Sequence, residues 1–352
     1  MIIKKRYLII FITFLILSLS IFFIVTKTSD KKNKNGSIKI GLSMDSIVVE
    51  RWQTDRDAFM AKVKELGGEV IVQNSGDNSD VQISQIKYLI AQGVDVLVIV
   101  PNDSDALAPV VATAKEKGIK VISYDRIIRN GNVDLYVTFD NIAIGQLMAK
   151  GLTQKVPKGN YLIIDGNPKD YNAVEFNQGF MNVLNPLVKS GNINIIKEVW
   201  AKGWKEDESY NAVEAAITNG PKFDAIIAGN DGLAEAAIQS LSEHKLGGKV
   251  AVVGQDADLA GCQRVVEGLQ LQTIYKPIVT LAQDAAVSAM SLAKGEKINF
   301  TGTMNDGSHT IPIIMVDCVA VNKDNMVDIV VKNGFHKTEE IYRNVPKDLW
   351  PK

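Results

Sequence analysis

From Ser37 onward, short apolar runs alternate with stretches in which apolar positions recur every three or four residues. SIKIGLSM reads as a strand, and WQTDRDAFMAKVKELGG as an amphipathic helix closed by Gly67 and Gly68. EVIVQNSG, VDVLVIVP and IKVISYD follow as strands, with helices ending near Gln92 and Gly118 between them. A second series comprises NYLIIDGN, NINIIKEVW, FDAIIAGND, KVAVVGQD and LQTIYKP, separated by helical stretches such as GLAEAAIQSLSEHKLGG. Val- and Ile-rich runs of this kind are strands buried on both faces, and strand-helix alternation implies parallel sheets with right-handed crossovers. Two series of about five strands exceed one comfortable sheet. The pattern therefore predicts an α/β protein of two Rossmann-like lobes.

The lobes divide the chain discontinuously. Residues 37–141 plus 277–308 are assigned to an N-terminal lobe and 142–276 plus 309–337 to a C-terminal lobe, with 338–352 left as a tail. VTFDNIAIGQLMAKGL carries the first crossover, the helix PIVTLAQDAAVSAMSLAKG returns to the first lobe, and TIPIIMVDCVAVNKDN crosses again.

Five polar clusters close apolar runs: VVERW at Trp52, VISYDR at Arg126, AIIAGND at Asp231, VAVVGQD at Asp256 and LQTIYKP at Pro277. Each run, VVERW included, reads as a buried strand. Ligands of open α/β sheets bind outside the carboxyl ends of the strands. Arg, Trp, Asp, Asn and Lys delivered there form a set of hydrogen-bonding groups suited to a small polyhydroxylated molecule. Plainer roles compete: Trp52 as core, Asp125 with Arg126 as a structural ion pair, and Asp256 or Asn230 as helix caps.

Ahead of these series, Leu8–Val25 is an apolar run broken only by Thr13, Ser18 and Ser20. Eighteen residues rise about 27 Å, close to the roughly 30 Å hydrocarbon core. The run ends IFFIVTKTSD with no small-residue cleavage pattern and no nearby cysteine, so an uncleaved single-span anchor is expected, followed by a tether to Gly36. Lys4, Lys5 and Arg6 before the span and Lys27, Lys31, Lys32 and Lys34 after it nearly balance the positive-inside rule.

Composition narrows the function. A formal net charge of −1 gives no basic face for nucleic acid. Three scattered histidines show no metal-ligand spacing, and no phosphate loop, dinucleotide fingerprint or nucleophile elbow occurs. Neither an enzyme nor a metal or other cofactor is indicated. The two cysteines, Cys262 and Cys318, lie in or beside apolar stretches and read as buried thiols.

Together, ERW, YDR, a GW before a helix, GQDADLAG and YKP resemble the periplasmic D-xylose-binding proteins, within the group that binds ribose, galactose and arabinose. The resemblance spans roughly Ser37 to Lys337. It implies a receptor of the type I periplasmic binding protein class, with two lobes joined by three hinge crossovers, that closes on one sugar. The contacts it implies are Arg51, Trp52, Asp125 and Arg126 from the first lobe. From the second they are Asn172, Trp204, Asn230 and Asp256, with Lys276 near the hinge. Where the family commonly shows two adjacent Asn before Ala, Tyr171 replaces the first here and Asn172 remains. The expectation is a membrane-anchored extracytoplasmic receptor for D-xylose or a similar pentose. Its membrane partner is expected to be a sensor histidine kinase, or alternatively an ABC-type permease.

Overall fold

The computed structural model describes residues 37–351. The expected anchor Leu8–Val25 lies outside these residues; among the described residues, no helix is long and apolar enough to cross a membrane.

The first lobe is built on β1 (Ile38–Met44), β2 (Gly68–Asn74), β3 (Val96–Ile99), β4 (Lys120–Tyr124), β5 (Leu135–Phe139), β11 (Gly302–Asn305) and β12 (Thr310–Val316), in the order β11-β12-β5-β4-β3-β1-β2. All neighbours pair in parallel except β11 with β12. The second lobe has β6 (Gly159–Asp165), β7 (Ile193–Trp200), β8 (Ala225–Ala228) and β9 (Ala251–Val253) in the order β7-β6-β8-β9. A bridge from Val253 to Gln272 leads to β10 (Thr273–Tyr275), which pairs with β13 (Val319–Val321). Both lobes thus repeat one winding, β2-β1-β3-β4-β5 and β7-β6-β8-β9-β10.

Burial on both faces explains the unbroken apolar runs. In β3, Val96 and Val98 face one core while Leu97 and Ile99 face another. Opposite orientation of successive strand residues produces this split. β6 and β8 behave alike: Tyr161, Ile163 and Ile227 join one core, and Leu162, Ile164 and Ile226 the other. Helices α1 (Glu50–Glu65), α2 (Ser79–Ala91) and α3 (Ala108–Glu116) belong to the first winding. The second contains α4 (Asn141–Lys155), α5 (Tyr171–Lys189), α6 (Glu206–Asn219), α7 (Asp231–Glu243) and α8 (Leu259–Glu267). Helix α9 (Ile278–Lys294) returns to pack on α1 and β3.

Three expectations need correction. VVERW is not a strand: β1 ends at Met44, Val48 is 87% exposed, and Val49 is the N-cap residue of α1. The stretch 310–316, assigned to the C-terminal lobe, is β12 and lies between β5 and β11 in the first sheet. The chain crosses only at Asp317 and Cys318, before β13. Residues 338–352 are no loose tail, because α10 (Thr338–Ile341) buries Ile341 and Tyr342 against Val265 and Val266 of α8.

Candidate functional site

A cavity opens where the carboxyl ends of the two parallel sheets face each other, the place at which this winding leaves a crevice. Its walls are Val49, Arg51, Trp52, Asp125, Arg126, Asp170, Asn172, Phe176, Trp204, Asn230, Gln255, Asp256 and Lys276. All nine residues singled out in the sequence are among them. Counted out to its open mouth, the space between these side chains is about 360 Å³.

Local structure explains each placement. Arg51 and Trp52 start α1, just beyond β1. Asp125 ends β4 in a left-handed conformation (φ 60°), and Arg126 follows it. Asp170 caps α5 by accepting from Asn172 N at 3.0 Å. Asn230 caps α7, its Oδ1 accepting from Leu233 N at 2.8 Å, so it both caps and lines the cavity. Asp256 does not cap α8, whose N-cap is Asp258. Trp204 lies in a left-handed turn after Gly203 and lays its ring on Gly166 and Gly229. A Cβ on Gly166 would sit 2.0 Å from the indole, so only glycine permits that contact.

The polar groups are buried and held by one another. Arg51 lies 2.7 Å from Asp125 and 3.4 Å from Asp55 within the first lobe, and 3.7 Å from Asp256 across the cleft. Arg126 joins Asp45 at 2.6 Å to Asp170 of the second lobe at 2.7 Å. Asp170 also accepts from Trp204 Nε1 at 3.1 Å, and Asn172 Nδ2 donates to the Asp125 carbonyl at 3.1 Å. Lys276 sits 2.6 Å from Asp256. The guanidiniums of Arg51 and Arg126 lie 4.3 and 5.4 Å from the Trp52 ring centre, within cation–π range.

These contacts set the charge states. Burial alone would raise Asp125, but Arg51, Lys276 and Arg126 hold its carboxyl below the usual range. Burial pushes Asp170 up even against the pull of Arg126. Three basic side chains (Arg51, Arg126, Lys276) meet three acidic ones (Asp125, Asp170, Asp256) on the cavity wall. Such a balance suits a neutral ligand rich in hydroxyls better than an anion or a cation.

Further contacts close the cleft beside the cavity. Ser104 N donates to Lys169 O at 3.0 Å and Tyr171 N to Ser104 Oγ at 3.1 Å. Lys169 reaches Asp103 at 3.2 Å, and the Arg129 guanidinium lies 4.9 Å from the Tyr171 ring centre.

Four lining residues escaped the sequence reading: Val49, Asp170, Phe176 and Gln255. Phe176 lies one helical turn beyond Asn172, a spacing that carried the necessary signal. The place of Asp170 just ahead of Tyr171 and Asn172 signalled a cap, but not a wall.

The model for the periplasmic binding protein domain matches residues 40–297. Over 306 residues the chain is 45% identical to the D-xylose-binding periplasmic protein of Haemophilus influenzae, covering 87% of this chain and 92% of that one. Identity to the Escherichia coli protein of the same description is 45% over 305 residues, covering 86% and 92%. Among solved structures, a carbohydrate transporter solute-binding protein from Chloroflexus aurantiacus in complex with D-glucose superposes with a TM-score of 0.81 at 30% identity, covering 87% and 98%. The chain belongs to the periplasmic binding protein family, and within it to that of the D-xylose-binding periplasmic proteins. This is a family of binding receptors rather than enzymes.

Proposed function

We propose that the protein binds D-xylose in the cavity between its lobes and serves as the solute-binding component of an ABC-type sugar transporter. The observation that carries the reading is the convergence of twelve polar and aromatic residues, from opposite lobes, on one charge-balanced cavity. A xylopyranose presents hydroxyls around its rim and C–H groups on both faces. Trp52 and Trp204 supply aromatic surface for the faces from opposite lobes. For the rim, Asp accepts with two oxygens, Arg donates in a fixed fork, and Asn does both. Touching both walls only when the lobes are together, the sugar stabilises the closed form by its differential affinity. The closed surface is what the membrane partner reads.

The transporter reading draws on relatives described as xylose-binding and as carbohydrate transporter solute-binding proteins. Signalling to a histidine kinase, which the sequence alone favoured, has no such support, and the expected membrane tether lies outside the described residues. The direct test is a tryptophan-fluorescence titration of the full-length protein with D-xylose, D-ribose, L-arabinose, D-glucose and D-galactose, backed by calorimetry. A saturable response to D-xylose, strongest of the five, is expected. A stronger response to D-glucose would keep the fold and change the ligand. For the partner, deleting the gene should abolish uptake of labelled D-xylose. Uptake left intact, with xylose-induced transcription lost, would return the signalling reading.

A further inference from the structure

Gln255 lines the cavity and is 2% exposed. Its Nε2 donates to Gly229 O at 2.8 Å, and because a carbonyl only accepts, this bond fixes which end of the amide is oxygen. That oxygen, Oε1, is buried with no hydrogen-bond partner. The adjacent Asp256 differs: its Oδ1 lies 2.6 Å from the Lys276 ammonium and 3.7 Å from Arg51, an ion pair that already compensates it. Burying an unsatisfied acceptor costs about 1–3 kcal/mol, so Gln255 Oε1 on a cavity wall is a specific feature.

Their shared orientation has a backbone cause. Consecutive residues of an extended strand point to opposite faces. Just beyond β9 the chain takes positive φ at Asp256 (103°) and at Ala257 (53°), and Gln255 and Asp256 come to line the same cavity. Neither residue is glycine, so both carry backbone strain of the kind that gathers at binding sites.

We propose that Gln255 Oε1 accepts a hydrogen bond from a hydroxyl of the bound sugar, which makes Gln255 a specificity-determining residue. The proposal rests on the sugar-binding reading and adds to it a particular demand. The ligand must present a hydroxyl to Gln255, and a sugar lacking that hydroxyl is rejected. Gln255 supplies no charge and no aromatic surface. Its contribution is discrimination by leaving an acceptor unpaired when the wrong sugar enters.

The test is calorimetry on full-length wild type and Gln255→Met with D-xylose, its 2-, 3- and 4-deoxy analogues and 1,5-anhydroxylitol. One analogue should bind wild type about 10- to 100-fold more weakly than D-xylose does. The variant should bind that analogue and D-xylose equally. Loss of the Gly229 bond weakens every sugar alike, so the readout is this convergence rather than absolute affinity. If each analogue loses as much against the variant as against wild type, Gln255 addresses no hydroxyl and the proposal falls. Wild type that binds no pentose fails the sugar reading itself, before any variant is made. Should Gln255→Met not fold, a crystal structure of wild type with D-xylose decides. A hydroxyl oxygen within about 3 Å of Oε1 supports the assignment, and its absence there overturns it.

Discussion

Strands β4 and β9 hold the same place in the two windings, and both run into an aspartate with positive φ: Asp125 at 60° and Asp256 at 103°. Each thereby turns two consecutive polar residues onto one cavity, Asp125 with Arg126 and Gln255 with Asp256. Their surroundings differ. Asp125 is bonded by Arg51 at 2.7 Å, while its carbonyl accepts from Tyr136, Thr138 and Asn172. Arg126 is clasped by Asp45 and Asp170. On the other wall Asp256 is paired with Lys276, but Gln255 keeps a buried oxygen without a hydrogen bond. One wall is satisfied from within the protein, the other has capacity left for a ligand. The same backbone device thus serves a rigid wall in one lobe and a selective one in the other.

Removing a group from each wall tests this contrast most forcefully. Arg51→Met strips Asp125 and Asp55 of their common partner and leaves buried carboxylates uncompensated, at a cost of about 3–5 kcal/mol of stability. Its melting temperature should fall steeply, and sugar binding with it. Gln255→Met keeps the length of the side chain on the second wall while removing its uncharged amide and the bond to Gly229 O. Here affinity should fall about 10- to 100-fold with a much smaller loss of melting temperature. Calorimetric scans and titrations of both variants provide the comparison. Equal stability losses would mean that the two walls do not differ as described.

How much of this could be read in advance follows from the physics of each element. Strands buried on both faces leave continuous apolar runs, so β3, β4, β6 and β8 were plain. The apolar residues of VVERW misled because a Val-Val pair in a loop resembles a strand end, and only burial shows Val48 to be exposed. Strand β12 went to the wrong lobe because the chain crosses within two residues, Asp317 and Cys318, with no glycine or proline to mark the hinge. Among site residues, Asp256 was legible at a strand end but Gln255 was not. Alternation places only one of two neighbours on a given face, and positive φ at an aspartate leaves no mark in the sequence. Asp170 was hidden by doing two things at once, capping α5 and joining Arg126 to Trp204.

Proton linkage sets buried acids of the second lobe against Asp125 of the first, although burial also raises Asp55 of that lobe. Burial pushes Asp165, Glu175 and Asp231 of the second lobe up to about 7, whereas the basic neighbours of Asp125 hold it down in the first. An acid raised on folding keeps its proton in the native state after the unfolded chain, with ordinary values near 4, has released it. Stability therefore falls as pH rises from about 4 through about 7, then levels off. Asp125 acts oppositely: its contribution is present above the ordinary carboxylate range and is lost as pH falls through its own lowered value. Melting temperature should decline between pH 5 and pH 8. Asp231→Asn should flatten part of that decline, and a wild-type profile rising across the interval would contradict the raised values of Asp165, Glu175 and Asp231.

The smallest expected effect lies outside both walls, at the contacts that bring the lobes together. The backbone bonds of Ser104 to Lys169 and Tyr171 survive any substitution at Tyr171, but the Arg129 guanidinium over the Tyr171 ring does not. A half-buried cation–π pair contributes about 1 kcal/mol. Since it joins residues of opposite lobes, its loss is expected to act on the open–closed balance rather than on contact with sugar. Tyr171→Asn should therefore weaken D-xylose binding about two- to five-fold. The effect should be uniform across deoxy analogues, unlike the convergence expected at Gln255, and small-angle scattering without sugar should show a larger open fraction. Arg129→Ala should produce the same loss, and the double variant no more than either alone. Additive losses would show that the two side chains act separately, and closure would then rest on the backbone bonds and the Lys169–Asp103 pair.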